Sequence, residues 1–318
     1  MRIVVGDIGG THARFAIAEL EGGHRPRIGP MKRYRTRDYP GLAAAWARFE
    51  EESGAPLPKN AALAVAAPIE GEILRFMNSD WRIERRTLRA DLGLDQLLLL
   101  NDFGAVAHAV SVLEPDDFIH LHGPEALPED GAITVLGPGT GLGVAILLRR
   151  GGQVSVVETE AAHIGFAPLD PEEETLADAI VEQHGRASVE RVVSGPGLID
   201  IYRNLGGEAD VDPNRAGDLW SAAIDGTDAV AVHALDILVR CLAAAAGDFS
   251  LAHGAMGVVI TGGLANRIPN LLQTPMFASR FTAKGRYRER MQRVPVMLAT
   301  HAEPGLLGAA VAFQRTFG

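Results

Sequence analysis

The sequence predicts a mixed α/β protein of two lobes, and three observations carry that expectation. Short apolar runs closed by glycine turns alternate with stretches of helical periodicity along the chain. With 318 residues, 47% of them hydrophobic, the chain is long enough for two cores of ordinary size. A pattern of strand, glycine turn and strand at the start returns after residue 131, which suggests duplicated lobes facing each other across a central cleft. The expected division is 1–112 for a smaller lobe, completed by a C-terminal helix over about 303–318, and 113–302 for a larger one.

The opening run Ile3 to Val5 meets Gly6, Asp7, Gly9-Gly10 and Thr11, and a second alternating run begins at Arg14. This reads as a hairpin whose turn is rich in backbone donors. Glycines let a backbone approach a phosphate closely, the N–H groups and the Thr11 hydroxyl can ring its oxygens, and Asp7 can hold Mg²⁺ through water. The turn suits a nucleotide triphosphate, although the same spacing also describes an ordinary tight turn. No GxxxxGK[ST] follows the strand and no GxGxxG opens a helix.

Gly22 to Pro30 is rich in turn residues, and Met31 to Arg35 suits a third strand. Asp38 to Glu51 reads as helix, with Leu42, Ala45, Trp46 and Phe49 on one face, so Trp46 is a core residue. Ala61 to Ala67 is a strand of small residues ending at Pro68; Ile73 to Met77, running into Asn78 and Trp81, reads as part of a surface hairpin. Arg85 to Leu92 is a short helix stopped by Gly93, and Gln96 to Leu100 is apolar throughout. Apolar character on both faces is the mark of a central strand in a covered sheet.

That strand ends in Asn101-Asp102, before a helix whose face is Phe103, Val106, Ala107 and Val110. Open α/β sheets place ligands at the carboxyl ends of strands, which makes this pair the best catalytic position in the first half. Asn and Asp are equally common as helix N-caps, so both readings stand on this feature alone.

Asp116 to Pro128 is polar and reads as a crossing into the second lobe. There Ala132 to Leu136, Gly137-Pro-Gly139-Thr140-Gly141 and Val144 to Leu148 repeat the opening pattern. Setting Thr140 against Thr11 aligns Gly139 with Gly10 and Ala145-Ile146 with Ala16-Ile17. The second turn has no counterpart of Asp7, so metal binding is expected at the first.

After a strand over Gln153 to Glu158 come Glu160 and His163, which could serve a metal or, equally well, sugar hydroxyls. Pro171 to His184 is a helix with an acidic, solvated beginning and Gly185 as its stop. Glu190 lies in SVERVVSGPGLIDIY, and its spacing alone assigns nothing. Ala216 to Leu251 is helical and contains an alanine-rich element, Val230 to Ala246, with Cys241 as core packing. Gly257 to Ile260 is a buried strand closed by Thr261-Gly262-Gly263; Phe281 to Gln292 is charged and solvated; Val294 to Thr300 is a last strand. Pro304 to Gly308 opens a final helix whose small residues permit close packing on the first lobe.

Thirty basic against forty acidic side chains give a net charge of −10, with no basic stripe for a nucleic-acid backbone. The single cysteine excludes an intrachain disulfide and any CxxC zinc pair. The amino terminus enters a strand at once without a signal core, and no apolar run reaches the roughly 20 residues of a membrane span. A soluble, cytoplasmic protein without membrane or nucleic-acid partners is therefore expected.

In order, GDIGGTHARFA, LNDFGAVA, LGPGTGLGVA, ETEAAH, ERVVSGPGLIDIYR, ITGGLANR and KGRYRE through HAEPGLLGAA resemble the bacterial glucokinase family, from about residue 3 to 312. That resemblance implies a two-lobed actin-like ATPase (ribonuclease H-like) fold, with mixed sheets flanked by helices. It implies ATP and Mg²⁺ as cofactors, D-glucose as acceptor, glucose 6-phosphate and ADP as products at the first step of glycolysis, and a homodimer. Gly6, Asp7, Ile8, Gly9, Gly10 and Thr11 would form the first phosphate loop. Gly137, Gly139, Thr140 and Gly141 would belong to the second, and Thr261, Gly262 and Gly263 would lie against the adenosine. Asn101, Asp102, Glu160, His163 and Glu190 would contact glucose, with Asp102 as catalytic base. Two departures stand out: His12 where the family usually has Asn, and Ala161-Ala162 where it has Gly-Gly. A sugar-sensing regulator on a kinase fold and a kinase of another hexose are the alternative readings.

Overall fold

Alternating apolar residues in the first nineteen positions make a hairpin, and it is the spine of the first of two compact units. In the computed structural model, which describes residues 1–67, 69, 71–76, 79–208 and 216–318, these units are residues 1–113 with 301–318, and residues 114–300. The expected strand ends at Pro68 and at Met77 and Asn78 lie outside the described residues.

In the first unit β1 (Arg2–Ile8) and β2 (His12–Glu19) pair antiparallel, and β3 (Arg27–Ile28) and β4 (Lys32–Arg35) both pair with β2. Helix α1 (Leu42–Ser53) follows, then β5 (Asn60–Val65), the small hairpin β6 (Ile73–Arg75) with β7 (Arg82–Glu84), and α2 (Leu88–Asp91). Strand β8 (Gln96–Asn101) leads into α3 (Asp102–Val110). The sheet order is β3-β2-β1-β5-β8, with β1, β5 and β8 parallel. Helix α1 starts at Leu42 rather than Asp38, because Pro40 holds Tyr39 in an extended conformation. It buries the four residues expected of it.

Period-two alternation divides β1 between two cores. Val4 and Ile8 join Phe15, Leu63, Trp46 and Phe49 on one face; Ile3 and Val5 join Ala62 and Ala64 against the final helix on the other. Strand β8 is an edge, not the expected centre. Its Leu97 and Leu99 lie against the first cluster and its Leu98 and Leu100 against the second. An apolar run on both faces reports cover above and below the sheet, and says nothing about a neighbour beside it.

The second unit repeats this plan. Strands β9 (Phe118–His122), β10 (Gly131–Pro138), β11 (Leu142–Arg150) and β12 (Gln153–Thr159) precede the helices α4 (Pro171–His184), α5 (Val189–Val192), α6 (Gly195–Asn204), α7 (Ala216–Asp225) and α8 (Ala229–Ala252). Then come β13 (Gly257–Ile260), α9 (Pro269–Leu272), α10 (Pro275–Thr282), α11 (Arg288–Met291) and β14 (Val296–Ala299). The order β12-β11-β10-β13-β14-β9 contains the first unit's arrangement: an antiparallel meander, then parallel strands on the other side of its first member. The weak likeness around Thr11 and Thr140 therefore falls on equivalent hairpins. Strand β9, antiparallel to β14, occupies the stretch expected to be only a crossing.

Two further expectations change. The acidic start of α4 is only partly solvated: Asp170 and Glu172 meet Arg240 at 3.1 and 2.7 Å, and Glu173, 1% exposed, pairs with Arg280, while Glu174 stays exposed. These partners lie on α8 and α10, about 70 to 110 positions away in sequence, so no local pattern announces them. By length and composition α8 could cross a membrane, against the expectation that no run is long enough. It is instead a core helix, capped by Asp228 and buried over much of its surface, including Cys241. Burial pushes the Cys241 thiol well up, which fits its packing role.

The last element, α12 (Pro304–Phe317), belongs to the first unit and packs on β1, β5 and α3. Gly308 makes this approach close: a Cβ there would overlap the carbonyl oxygen of Ala105 on α3.

Candidate active site

Parallel pairing sets the row in which Ile8, Val65 and Asn101 are neighbours across β1, β5 and β8. The turn after Ile8 and the pair Asn101-Asp102 thus leave the sheet at the same carboxyl edge, where α/β sheets collect ligands. Within the turn, Gly9 N–H donates to His12 O at 2.9 Å. The Thr36 hydroxyl donates to Gly10 O at 2.7 Å, and Thr36 N–H donates to Thr11 O at 3.0 Å. Both turn carbonyls are thereby tied down, while the N–H groups of Gly10 and Thr11 make no bond among the described residues. That leaves donors in the sense an anion requires.

Gly6 and Ile8 play another part. Each is buried in the strand, and a Cβ on Gly6 would come within 2.6 Å of Leu63 Cδ2 and 3.2 Å of the Phe15 ring. Gly6 is glycine for packing, and the surfaces able to meet a phosphate are those of Gly9, Gly10 and Thr11. Asp7, cross-strand partner of Arg14, accepts from its guanidinium at 2.7 Å. Arg14 also lies 3.9 Å from Glu303, whose carboxyl is pushed up by burial, with Arg14 and Arg33 opposing the rise and Asp7 adding to it.

Asn101 is the N-cap of α3: its side-chain oxygen accepts from Phe103 N–H at 2.8 Å and Gly104 N–H at 3.1 Å. The cap reading is thus correct for Asn101. Asp102 is the first helical residue, half-buried, with Oδ1 2.9 Å from Phe103 N. The cap role therefore falls chiefly on Asn101, and Asp102 stands next to it at the strand edge.

The second unit builds its group in the same manner. Leu136, Ile260 and Leu298 are neighbours across β10, β13 and β14, so the loops after β10 and β13 share one edge. Gly137 pairs within the hairpin ladder, whereas Gly139, Thr140 and Gly141 form the turn. Gly139 N–H donates to Gly141 O at 2.7 Å and Gly195 N–H to Gly139 O at 2.8 Å, tying the turn to the start of α6. The buried Thr261 N–H donates to Leu136 O, and Gly262, at φ 98°, brings its backbone against Pro138 O. Only glycine adopts that conformation without strain.

Glu190, on α5, accepts from Leu142 N–H at 3.0 Å, and a Cβ on Gly141 would stand 2.5 Å from its Oε2. His163 lies 3.9 Å from Glu190 Oε1 and 3.6 Å from Glu160 Oε2. Bonds from Val189 N–H to Ile164 O and from Phe166 N–H to Ala187 O hold the segment bearing Glu160 and His163 against α5. The structure therefore joins the three expected sugar contacts to the second glycine turn. Ala162, one of the two departures, is 3% exposed in the unit's core, so its methyl group has a place. No group of three or more His, Cys, Asp or Glu among the described residues could hold a metal ion by itself.

Thr36, Arg14, Glu303 and Gly195 were not legible as site residues. Only Arg14 left a signal: closing the hairpin about the turn puts it opposite Asp7.

A family profile described as glucokinase matches residues 4–316. A glucokinase of Zymomonas mobilis subsp. mobilis is 47% identical over 320 aligned positions, which cover 100% of this chain and 99% of that protein. The crystal structure of a glucokinase from an Antarctic psychrotroph matches with a TM-score of 0.84 and 30% identity over 99% of both chains. A Balamuthia mandrillaris glucokinase, solved in complex with glucose, shares the fold at a TM-score of 0.81 and 23% identity, over 99% of this chain and 93% of that one. Fold and site thus define a sugar kinase. The chain belongs to the glucokinase family.

Proposed function

We infer that this protein transfers the γ-phosphate of ATP to the 6-hydroxyl of D-glucose, giving glucose 6-phosphate and ADP. The observation that carries this is the full-length family match at 47% identity. The geometry of the two glycine turns is in keeping with it. In this proposal the two units act together as the lobes of an actin-like ATPase, with the protein a homodimer in the cytoplasm; for those points the support is the family resemblance.

The N–H groups of Gly10, Thr11, Thr140 and Gly141, none of which makes a backbone bond among the described residues, would receive the donor's phosphates, and Thr261 to Gly263 would lie along its adenosine. Asn101, Glu160, His163 and Glu190 would hold the sugar hydroxyls. Because the Asn101 oxygen already caps α3, its amide nitrogen would be the group offered to the sugar. Asp102 would accept the 6-hydroxyl proton. Phosphoryl transfer asks little covalent chemistry of a protein, so most of the acceleration comes from in-line positioning and charge stabilisation.

Mg²⁺ fits the first turn: one carboxylate and no multi-ligand cage suits an ion that keeps its waters and binds chiefly through phosphates. Asp7 would hold it through water, with one oxygen already engaged by Arg14. When bound, Mg²⁺ supplies charge neutralisation at the transferring phosphoryl group. Asp7→Asn is expected to raise the Mg²⁺ concentration needed for half-maximal rate, read from a Mg²⁺ titration at fixed ATP. An unchanged requirement would make Asp7 a turn and ion-pair residue only.

Thr36→Val keeps the shape of Thr36 and removes the bond to Gly10 O. The bond to the Gly10 carbonyl is only part-buried, so leaving that carbonyl unsatisfied costs toward the lower end of the about 1–3 kcal/mol of a buried group. The expected result is a KM for MgATP raised roughly 5- to 10-fold, at about 1.4 kcal/mol per decade, with the KM for glucose little changed. Equal shifts in both would point to a general loss of structure.

The function itself is tested by ADP release with MgATP across a panel of hexoses. Strong turnover with glucose is expected. Turnover confined to another hexose would move the assignment to that sugar, and none with any sugar from folded protein would overturn the kinase reading.

A further inference from the structure

Beside the first glycine turn, β2 and β4 set basic residues face to face. His12 is paired with Arg35 and Arg14 with Arg33, all on the side of the ribbon opposite the buried Ala13, Phe15 and Tyr34. Like charges directly across a strand pair destabilise it, so this arrangement calls for a counter-charge. Arg14 has one in Asp7 at 2.7 Å, with Glu303 at 3.9 Å. Arg33 and Arg35 are exposed, and neither has a carboxylate within salt-bridge distance among the described residues; Glu303 acts on Arg33 only from further off, and Arg33 bonds His12 Nδ1 at 3.3 Å.

The His12 ring is held below its ordinary pKa by burial and then by Arg33, Arg14 and Arg35, so all three guanidinium groups act on one spot. His12 follows the turn directly in the chain and its carbonyl accepts from Gly9 N–H, so this basic group is carried on the residues that flank Gly10 and Thr11.

We propose that His12, Arg33 and Arg35 form an anion site at the rim of the first glycine turn, taking a phosphate group. It rests on the reading of that turn as a phosphate loop. Two arginines with exposed forks are suited to phosphate oxygens. The phosphate can come from the nucleotide donor or from free phosphate in solution. The site also gives the departure at His12 a role: an imidazole there accepts from Arg33 and orients its fork.

The test is the Arg33→Gln/Arg35→Gln double variant, confirmed folded by circular dichroism, measured two ways beside wild type. Calorimetry with inorganic phosphate alone reads the site without nucleotide, and the KM for MgATP at saturating glucose reads it during turnover. A tenfold or greater loss of phosphate binding together with a similar rise in KM assigns the site to the donor. Loss of phosphate binding with KM unchanged assigns it to free phosphate, and a raised KM alone marks a donor contact. Neither change overturns the proposal, as does an equal effect from Arg37→Gln, which would reduce the result to net charge. Wild-type turnover with glucose in the same preparation separates failure of this site from failure of the kinase reading.

Discussion

Replacing Asp102 by Asn is expected to lower kcat by about 10²-fold or more, the usual range for loss of a general base. The fold and much of the glucose affinity should persist. Asn keeps the shape of Asp and can still accept from Phe103 N–H, as Asp102 Oδ1 does at 2.9 Å. The cap of α3 belongs to Asn101, whose oxygen serves two N–H groups, so the helix start does not depend on the Asp102 charge. What the variant would remove, in the proposed mechanism, is the proton acceptor for the 6-hydroxyl. Near-normal turnover would refute that role and leave Asp102 as a helix-start residue.

The second large effect is on stability. Gly308→Val would force two methyl groups and a Cβ into the space held by the Ala105 carbonyl, with Ala109 N only 3.0 Å from the Cβ position. Backbone cannot yield there as a flexible side-chain tip would, so α12 and α3 must move apart. Overpacking usually costs about 1–3 kcal/mol and occasionally more; because both obstructing groups are helix backbone, we expect about 3 kcal/mol or more. Urea denaturation followed by far-UV circular dichroism would read it as a lowered midpoint. Because α3 begins at Asp102, the variant should also lose activity where it remains folded. A midpoint within error of wild type would show that the contact is looser than described.

Much of this architecture is written in local pattern. Helix α4 runs from Pro171 to His184 and stops at Gly185 in the left-handed conformation, because a proline start and a glycine stop are signals carried by neighbouring residues. The two hairpins and the four buried residues of α1 were legible for the same reason. What was lost depends on partners far along the chain. Strand β9 needs β14, about 180 positions later, and its alternating histidines hid it in a polar stretch. Glu173 looks like a surface acid until Arg280 arrives beside it.

The candidate site divides along the same line. Its glycine turns and the Asn101-Asp102 pair were legible from strand ends and turn residues, whereas Glu160, His163 and Glu190 were joined as one set only through motif resemblance; the structure gathers each set within its own unit. Their supports were not found. Thr36 holds the first turn from 26 positions away, and Gly6, read as a phosphate contact, owes its identity to Leu63 and Phe15. A motif names the residues it contains without saying which of them pack and which meet a ligand.

The central claim, phosphorylation of glucose at its 6-hydroxyl by MgATP, is met most directly by identifying the product. Protein, MgATP and glucose are incubated, and the phosphorylated sugar is examined by ³¹P nuclear magnetic resonance with coupling to the sugar protons. A phosphate coupled to the two protons on carbon 6, formed in step with ADP, is the predicted result. ADP released without any phosphorylated sugar, or a phosphate on another carbon, would contradict the account.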